Sequence, residues 1–399
     1  MSKYFKLLAI AGVVLEILTM SHIKRKDHVY DIVVIGAGLS GLISAAALAK
    51  EGMDVCVLES AEFSGGHSRL VYSPVGLIDN GIKFFPDNLK CTQALEQLNH
   101  ILKVPIEFGS VENGPVTFQG GEIKPFIGFG KEAPDFHREL SYFLEPRRLE
   151  LSRSVGQIVA DLALGLGERF YPSSLVTKYQ GHEGKIQSVM VNGQREIFGR
   201  EFIHSASPKI LSALLDDELL SVRAKQKIAK ADYWTILGLD LFHSGTVTES
   251  QFLHLLNGTT QDELGPSVGL FHPTIPSVKN DEDLIQHSQW MTFVEQEAGE
   301  DPEFTGSALK KIKRQIKRAY PQALEGMISE RILVAPLMEV DLELKFDQRG
   351  ALHGIPNLWL AHGSASQGLN IVGSIQQSLL VASQINNMQK RIASPEKDQ

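Results

Sequence analysis

The sequence predicts an α/β fold built around a dinucleotide-binding unit, and three observations carry that expectation. Ile32-Val33-Val34-Ile35 is the apolar run of a buried parallel strand, and Gly36-Ala37-Gly38-Leu39-Ser40-Gly41 follows it directly. Leu42 to Lys50, rich in Ala and Leu, reads as a helix, and Val55-Cys56-Val57-Leu58 reads as a second strand ending on Glu59. At the far end, Pro356 to Ala361 reads as a last strand, followed by a turn with Gly363 and Gly368 and then a helix through Leu380, Ala382 and Ile385.

Each residue of the first turn has a physical reason to be there. Gly36 allows the tight turn off the strand, Gly38 lets the backbone approach a pyrophosphate, and Gly41 lets helix and strand pack closely. The first-turn N–H groups, at Leu39, Ser40 and Gly41, are unpaired donors at the positive end of the helix dipole and suit a phosphate. Glu59 lies eighteen residues past Gly41, where a carboxylate can accept hydrogen bonds from adenosine ribose hydroxyls.

At 399 residues the chain is long enough for two or three domains. Its net charge of −8 gives no support for non-specific nucleic-acid binding, which wants a basic domain. No metal site is expected. Cys56 and Cys91 are the two cysteines; Cys56 falls inside a buried strand, so a structural disulfide is disfavoured and a reducing, cytoplasmic setting is expected. The first 28 residues keep three readings open. Leu7 to Met20 is mostly apolar between basic flanks, but is short for a membrane span and contains Glu16. It reads as a surface or packed helix, as a peripheral membrane anchor, or as a leader with Met20 an alternative start.

Ser64-Gly65-Gly66-His67-Ser68-Arg69 comes within a few residues of Glu59, and a second glycine pair there lets the backbone pass close to a bulky ligand on the first turn. Val75 to Phe85, with Asp79-Asn80-Gly81 at its centre, reads as a strand pair or a strand and turn. Together these stretches resemble the FAD-binding amine oxidase superfamily, which includes monoamine oxidases, protoporphyrinogen oxidases, phytoene desaturases and, more distantly, UDP-galactopyranose mutases. The resemblance implies a discontinuous Rossmann-type FAD-binding domain with an inserted α+β substrate domain. His67 stands where the family commonly has Arg, and Arg69, two residues on, is the candidate for a phosphate contact.

Further along, Ser174 to Tyr179, Gly184 to Val189 and Glu201 to Ala206 read as strands. They resemble the family's middle section, which makes Val176 the residue at the adenine edge. The C-terminal strand, turn and helix resemble the family's closing motif. That implies a turn at Gly363 and Ser364 over the flavin ribityl and pyrophosphate, and Gly373, Ser374 and Ile375 at the isoalloxazine edge. The family usually carries Asp or Glu in that strand-end motif; this chain reads Ala361-His362-Gly363-Ser364, with no acid.

The remaining intervals give weaker signals. Thr92 to Leu102 reads as an amphipathic helix, and His137, Arg138, Arg147 and Arg148 lie among apolar positions. These arginines suit either an anionic substrate group or a solvated helix face. Tyr233 to Phe242 and Ser288 to Val294 read as strands, and His272 sits between Phe271 and Pro273. Leu309, Ile312, Ile316 and Ala319 recur at helical spacing, with Lys310, Lys311, Lys313, Arg314, Lys317 and Arg318 on the other faces.

The expected division is a leader over 1–28, an FAD domain over 29–90, 165–215 and 335–399, and a substrate domain over 91–164 and 216–334. The expected activity is hydride transfer from a small organic substrate to non-covalently bound FAD, with no catalytic base identified. A mutase-like flavin-dependent isomerase and a non-catalytic dinucleotide-binding protein are the alternatives.

Overall fold

The computed structural model describes residues 28–129, 136–231, 233–257, 266–339, 345–363 and 371–393. The leader over residues 1–27 and Ser364 lie outside the described residues.

The N-terminal unit forms as its pattern requires. Strand β1 (Val29–Ile35) runs parallel to β2 (Val55–Leu58), with Ile32 opposite Val55 and Ile35 opposite Leu58. Helix α1 (Leu39–Lys50) makes the crossover and begins three residues earlier than the Ala/Leu run suggests, inside the Gly turn itself. A hairpin of β3 (Leu70–Ser73) and β4 (Gly76–Asp79) follows. Helices α2 (Leu89–Asn99) and α3 (Val155–Leu166) come next, each with a side-chain N-cap, from Asn88 and Ser154.

Strands β5 (Val176–His182), β6 (Lys185–Val191) and β7 (Arg195–His204) then form an antiparallel meander. The first half of β7 pairs with β6, while its second half runs parallel to β1. A short strand, Phe170–Tyr171, extends the sheet beyond β2. Near the end of the chain β11 (Leu358–Leu360) joins β7 on the side away from β1. The C-terminal ends of β1, β7 and β11 are thus brought side by side, at the edge where ligands bind in open parallel sheets.

Both faces of this sheet are covered, which explains the unbroken apolar runs of β1 and β2. On one face α1, α2, α3 and the C-terminal helix α5 (Ile371–Ala393) pack through Leu42, Leu48, Leu95, Leu98, Ile158, Leu162, Val381 and Ile385. On the other, Val33, Tyr179, Val189 and Phe202 pack against Leu211 and Leu215. Helices α2 and α3, which fall in the interval assigned from sequence to the substrate region, belong to this first core.

A second sheet holds β8 (Tyr233–Ser244), β9 (Leu284–Glu295) and β10 (Met327–Glu339). Strand β8 is the centre of the three, antiparallel to both neighbours, and β10 is the edge. Four shorter strands within residues 116–271 extend the sheet beyond β9. Helix α4 (Pro302–Ala319) covers one face, with Leu309, Ile312 and Ile316 packed on Leu237, Leu239 and Leu241. The opposite face carries Phe84, Phe136, Leu140, Phe143, Met291 and Phe293, with Trp234 and Ile236 against them.

Candidate dinucleotide site

The first Gly turn is held from below. Gly36 has φ +97°, and a Cβ there would come within 2.7 Å of Ser205 Oγ, which donates to the Gly36 carbonyl at 2.8 Å. A Cβ on Gly41 would lie 2.0 Å from the Gly36 carbonyl oxygen, so only glycine lets α1 start so close to the turn. Gly38 differs: a Cβ there would meet nothing within 4 Å, so its bare backbone borders open space.

Glu59 closes one end of that space. Its Oε2 accepts from the backbone N–H of Ala37 at 2.7 Å and its Oε1 from that of Ala61 at 2.9 Å. The Glu59 carbonyl accepts from the backbone N–H of Ser174 at 2.6 Å, which ties the start of the meander to the acid. Val176 follows two residues later, and its side chain is buried in the second-face core. Whatever Val176 offers a ligand comes from its backbone.

The second glycine pair sits directly on the first turn. Gly65 donates to the Ala37 carbonyl at 2.7 Å and forms a parallel bridge with Gly38. Gly65 and Gly66 have φ of +107° and +51°, and a Cβ on Gly66 would reach 3.5 Å from Gly38 Cα. His67 and Arg69, just beyond, are exposed. The His67 imidazole is pushed below its usual pKa by desolvation, then by the nearby Lys83, Arg69 and His362. Arg69 and His362 therefore lie within electrostatic reach of this turn.

Lys83 continues the line of contacts. Its Nζ donates to the His67 carbonyl at 3.1 Å and to the Asn80 carbonyl at 2.8 Å. Burial brings its amine down to about 8, against the opposing pull of Asp79 and Asp240. Asn80 Oδ1 accepts from Arg331 Nη1 at 2.8 Å, and Arg331 Nη2 is ion-paired with Asp240 Oδ2. Gln289 Nε2 donates to Asp240 Oδ1 at 3.0 Å, and His287 Nε2 stands 3.4 Å from the same atom. Burial alone would raise the Asp240 carboxyl, but hydrogen bonding and charge from His287, then Arg331 and Gln289, hold it below the usual range. An unbroken series of contacts therefore runs from Glu59, over both glycine turns, to the second sheet.

Asp79 serves a different end. Its Oδ1 accepts from the Gly156 N–H at 2.7 Å and its Oδ2 from that of Val155 at 3.2 Å, capping α3.

At the C-terminal end, Ala361 donates to the His204 carbonyl at 3.0 Å, so the chain leaves β11 beside the C-terminal end of β7. Gln377 Nε2 donates to the Leu360 carbonyl at 3.0 Å, holding the first turns of α5 against that strand end. Gly373 and Ser374 lie in these turns, and the side chain of Ile375, beside them, is buried in the first core. The structure thus brings Gly36 to Gly41, Glu59, Gly65 to Arg69 and the Gly363 strand end to one edge of the first sheet.

Other candidates are engaged elsewhere. Arg148 is buried, donating to the Gln251 carbonyl at 3.0 Å and paired with Glu150 at 2.8 Å. Arg147 bonds Ser110 at 2.6 Å, and both arginines lie on the strand Arg147–Leu151 rather than on a helix face. The side chains of His137 and Arg138 lie outside the described residues. His272 bonds Gln289 at 3.1 Å and stacks on His287 at 4.9 Å, with its pKa brought down to about 4 by burial. It therefore belongs to the wall around Asp240, as a neutral ring. Sequence reading gave no role to Lys83, Asp240, Gln289 or Arg331. The available signal was a carboxylate, Asp240, in the middle of an otherwise apolar strand. A hollow of about 380 Å3 lined by Tyr30, Asp54, Arg169 and Tyr171 contains none of the site residues.

Residues 34–97 match the model of an NAD(P)-binding Rossmann-like domain. A phytoene desaturase of Fusarium fujikuroi is 40% identical over 62 residues, which are 16% of this chain and 10% of the desaturase. Flavin-containing amine oxidase A of Canis lupus familiaris is 34% identical over 110 residues, 26% of this chain and 19% of the oxidase. The chain thus covers a fifth or less of either relative's length. Likeness of fold extends much further. The structure of cyclohexylamine oxidase from Brevibacterium oxydans IH-35A superposes with a TM-score of 0.64, at 14% identity, over 91% of this chain and all of that one. A putative protoporphyrinogen oxidase from Exiguobacterium sp. 255-15 gives 0.61, at 10% identity, over 90% and 99%. Along most of its length the chain thus shares the fold of these oxidase structures, while the family-model match is confined to the segment that carries both Gly turns.

Proposed function

We propose that the chain is an FAD-dependent oxidoreductase that moves a hydride from a small organic substrate to flavin held without a covalent link. The observation that carries this reading is the continuous contact line from Glu59 to Asp240, with open space over Gly38 at its centre. The residues present fit the dinucleotide. Glu59 would take the adenosine ribose, the N–H groups of Leu39, Ser40 and Gly41 the pyrophosphate, and Gly373 and Ser374 the flavin end. Bound flavin supplies the hydride acceptor.

The chain's own residues do the rest. Phe84, Phe143, Met291 and Phe293 form a buried apolar core on the face of the second sheet that carries Asp240, which keeps water from that side of the junction. Lys83 Nζ holds a proton at the junction of the two sheets, where Asp79 and Asp240 favour its cationic form. A non-covalent link is supported by the cysteines: both Cys56 and Cys91 are buried, and burial raises both thiols, Cys91 to about 12.

The test is the visible spectrum of the purified chain, before and after adding FAD and dialysing. Flavin bands that survive dialysis and bleach anaerobically with a substrate amine or alkene support the proposal. A colourless protein that retains no FAD overturns it, and bands that give a flavin–sugar adduct after chemical reduction favour the isomerase.

A further inference from the structure

We propose that α4 and the edge strand β10 form a docking surface for an anionic lipid bilayer. Helix α4 carries six cationic side chains and a single acid, Glu303, within a chain of net charge −8. Its apolar stripe is used in packing on β8, so the cations are left on the outward faces. Lys310, Lys313 and Lys317 lie three or four residues apart and share one flank. The ion pair of Lys313 with Glu330 fixes which flank it is: the one beside β10.

Strand β10 presents apolar residues on the same side. It alternates, with Arg331 and Leu333 facing the dinucleotide site and Ile332 and Val334 facing the side that α4 covers over β8, while Ile328 sits at a bulge just before them. Helix α4 does not extend over β10, and the side chains of Ile328, Ile332 and Val334 are 53%, 50% and 46% exposed. Three branched aliphatics on an edge strand, flanked by lysines, have the composition of a surface that inserts shallowly between lipid headgroups while its cations meet anionic ones. A nucleic acid would gain nothing from the aliphatics. A two-fold contact with a second copy, centred on the patch, would bring the two lysine flanks together.

The experiment is co-sedimentation of the full chain with phosphatidylcholine vesicles, with and without about one-third phosphatidylserine. Binding is expected to the anionic vesicles alone, and to fall as salt is raised. Replacing Lys310 and Lys317 by Gln should weaken it by roughly fivefold per lysine, with Lys310→Arg/Lys317→Arg restoring it. Ile332→Ser/Val334→Ser should weaken it further, with the melting curve of the free protein confirming an intact fold. Equal binding to neutral vesicles, or no effect of the Gln pair, overturns the proposal. So does complete loss of binding on Leu8→Glu/Leu15→Glu, which would place the contact in residues 1–27. Self-association in light scattering that disappears with Ile332→Ser/Val334→Ser would assign the patch to a second copy instead. None of these readouts depends on flavin, so the proposal stands or fails independently of the enzymatic reading.

Discussion

Glu59 Oε2 accepts a hydrogen bond from the backbone N–H of Ala37 at 2.7 Å, so the acid that ends the second strand also fixes the turn that leaves the first. With Ala61 N–H on its other oxygen, the carboxylate is oriented before any ligand arrives. Glu59→Ala should therefore act twice. It removes a charge-assisted hydrogen bond from a largely buried position, costing the ligand-free protein about 1.5–3 kcal/mol, and it removes the ribose acceptor. Chemical denaturation without FAD reads the first effect and an FAD titration the second. An unchanged FAD affinity would remove Glu59 from the site.

Gly38 and Gly41 should separate ligand binding from folding. Gly38 has φ −70°, which any residue adopts, and a Cβ there meets nothing, so Gly38→Ala should leave the ligand-free melting temperature nearly unchanged while weakening FAD binding. Gly41→Ala puts a methyl 2.0 Å from the Gly36 carbonyl oxygen and should destabilise the protein by about 1–3 kcal/mol or more even without ligand. If both substitutions cost only stability, the space over Gly38 holds no pyrophosphate.

The contrast between these glycines shows what the sequence can say. Turn, helix and acid are consecutive, and each residue type follows from a local steric or electrostatic need, so β1 to Glu59 is legible without coordinates. Gly65 and Gly66 are legible for the same reason. Helix α4 was foreseen only from Leu309, because Pro302 to Gly306 has no apolar periodicity; Asp301, capping the Glu303 N–H at 2.8 Å, and Pro302 at the first helical position start it. The link from Lys83 to Asp240 and Arg331 was invisible, since it joins residues more than 150 positions apart through two sheets. Nothing in the local sequence marks a lysine that contacts both His67 and Asn80 carbonyls.

Lys83 should give FAD binding a pH dependence of its own. The folded amine titrates near 8 instead of 10.5, so it is cationic below about pH 8 and neutral above it. A cation beside the second glycine turn favours an anionic ligand, and FAD affinity should fall as pH rises through about 8. Lys83→Met should flatten that profile at the weak limit, and Lys83→Arg should hold it at the strong limit. Fluorescence titrations across pH 6.5–9.5, a range of roughly 1.5 units on each side of the expected midpoint, are the check.

Buried histidines should make the fold acid-labile. Burial brings His204, His243 and His254 down to about 4, as it does His272. His204 takes a 2.9 Å bond between Nδ1 and Tyr179 OH, and His243 one of 2.8 Å between Nδ1 and the Ala323 carbonyl. For a base whose folded pKa is lowered from 6.5 to about 4, the unfolded chain binds more protons between those values. Stability should be fully present above about pH 6.5 and fall continuously toward pH 4, before most carboxylates protonate. His204→Gln should make that decline shallower in urea titrations at a series of pH values; an unchanged slope would mean that His204 is already protonated in the folded state.

The ion pair between Arg331 and Asp240 makes the sharpest demand on the second sheet. Asp240 is 2% exposed, and beside Arg331 its partners are neutral Gln289 and the His287 ring. Arg331→Met leaves the carboxylate buried without its guanidinium, a change that typically costs about 3–5 kcal/mol, and it also releases Asn80 from the second sheet. Replacing both members, as Asp240→Asn/Arg331→Met, removes the uncompensated charge and should recover much of that loss in thermal denaturation. FAD affinity should not recover with it, because Asn80 and the Lys83 amine it positions would still lack their anchor. Recovery of both together would show that the pair serves the fold alone.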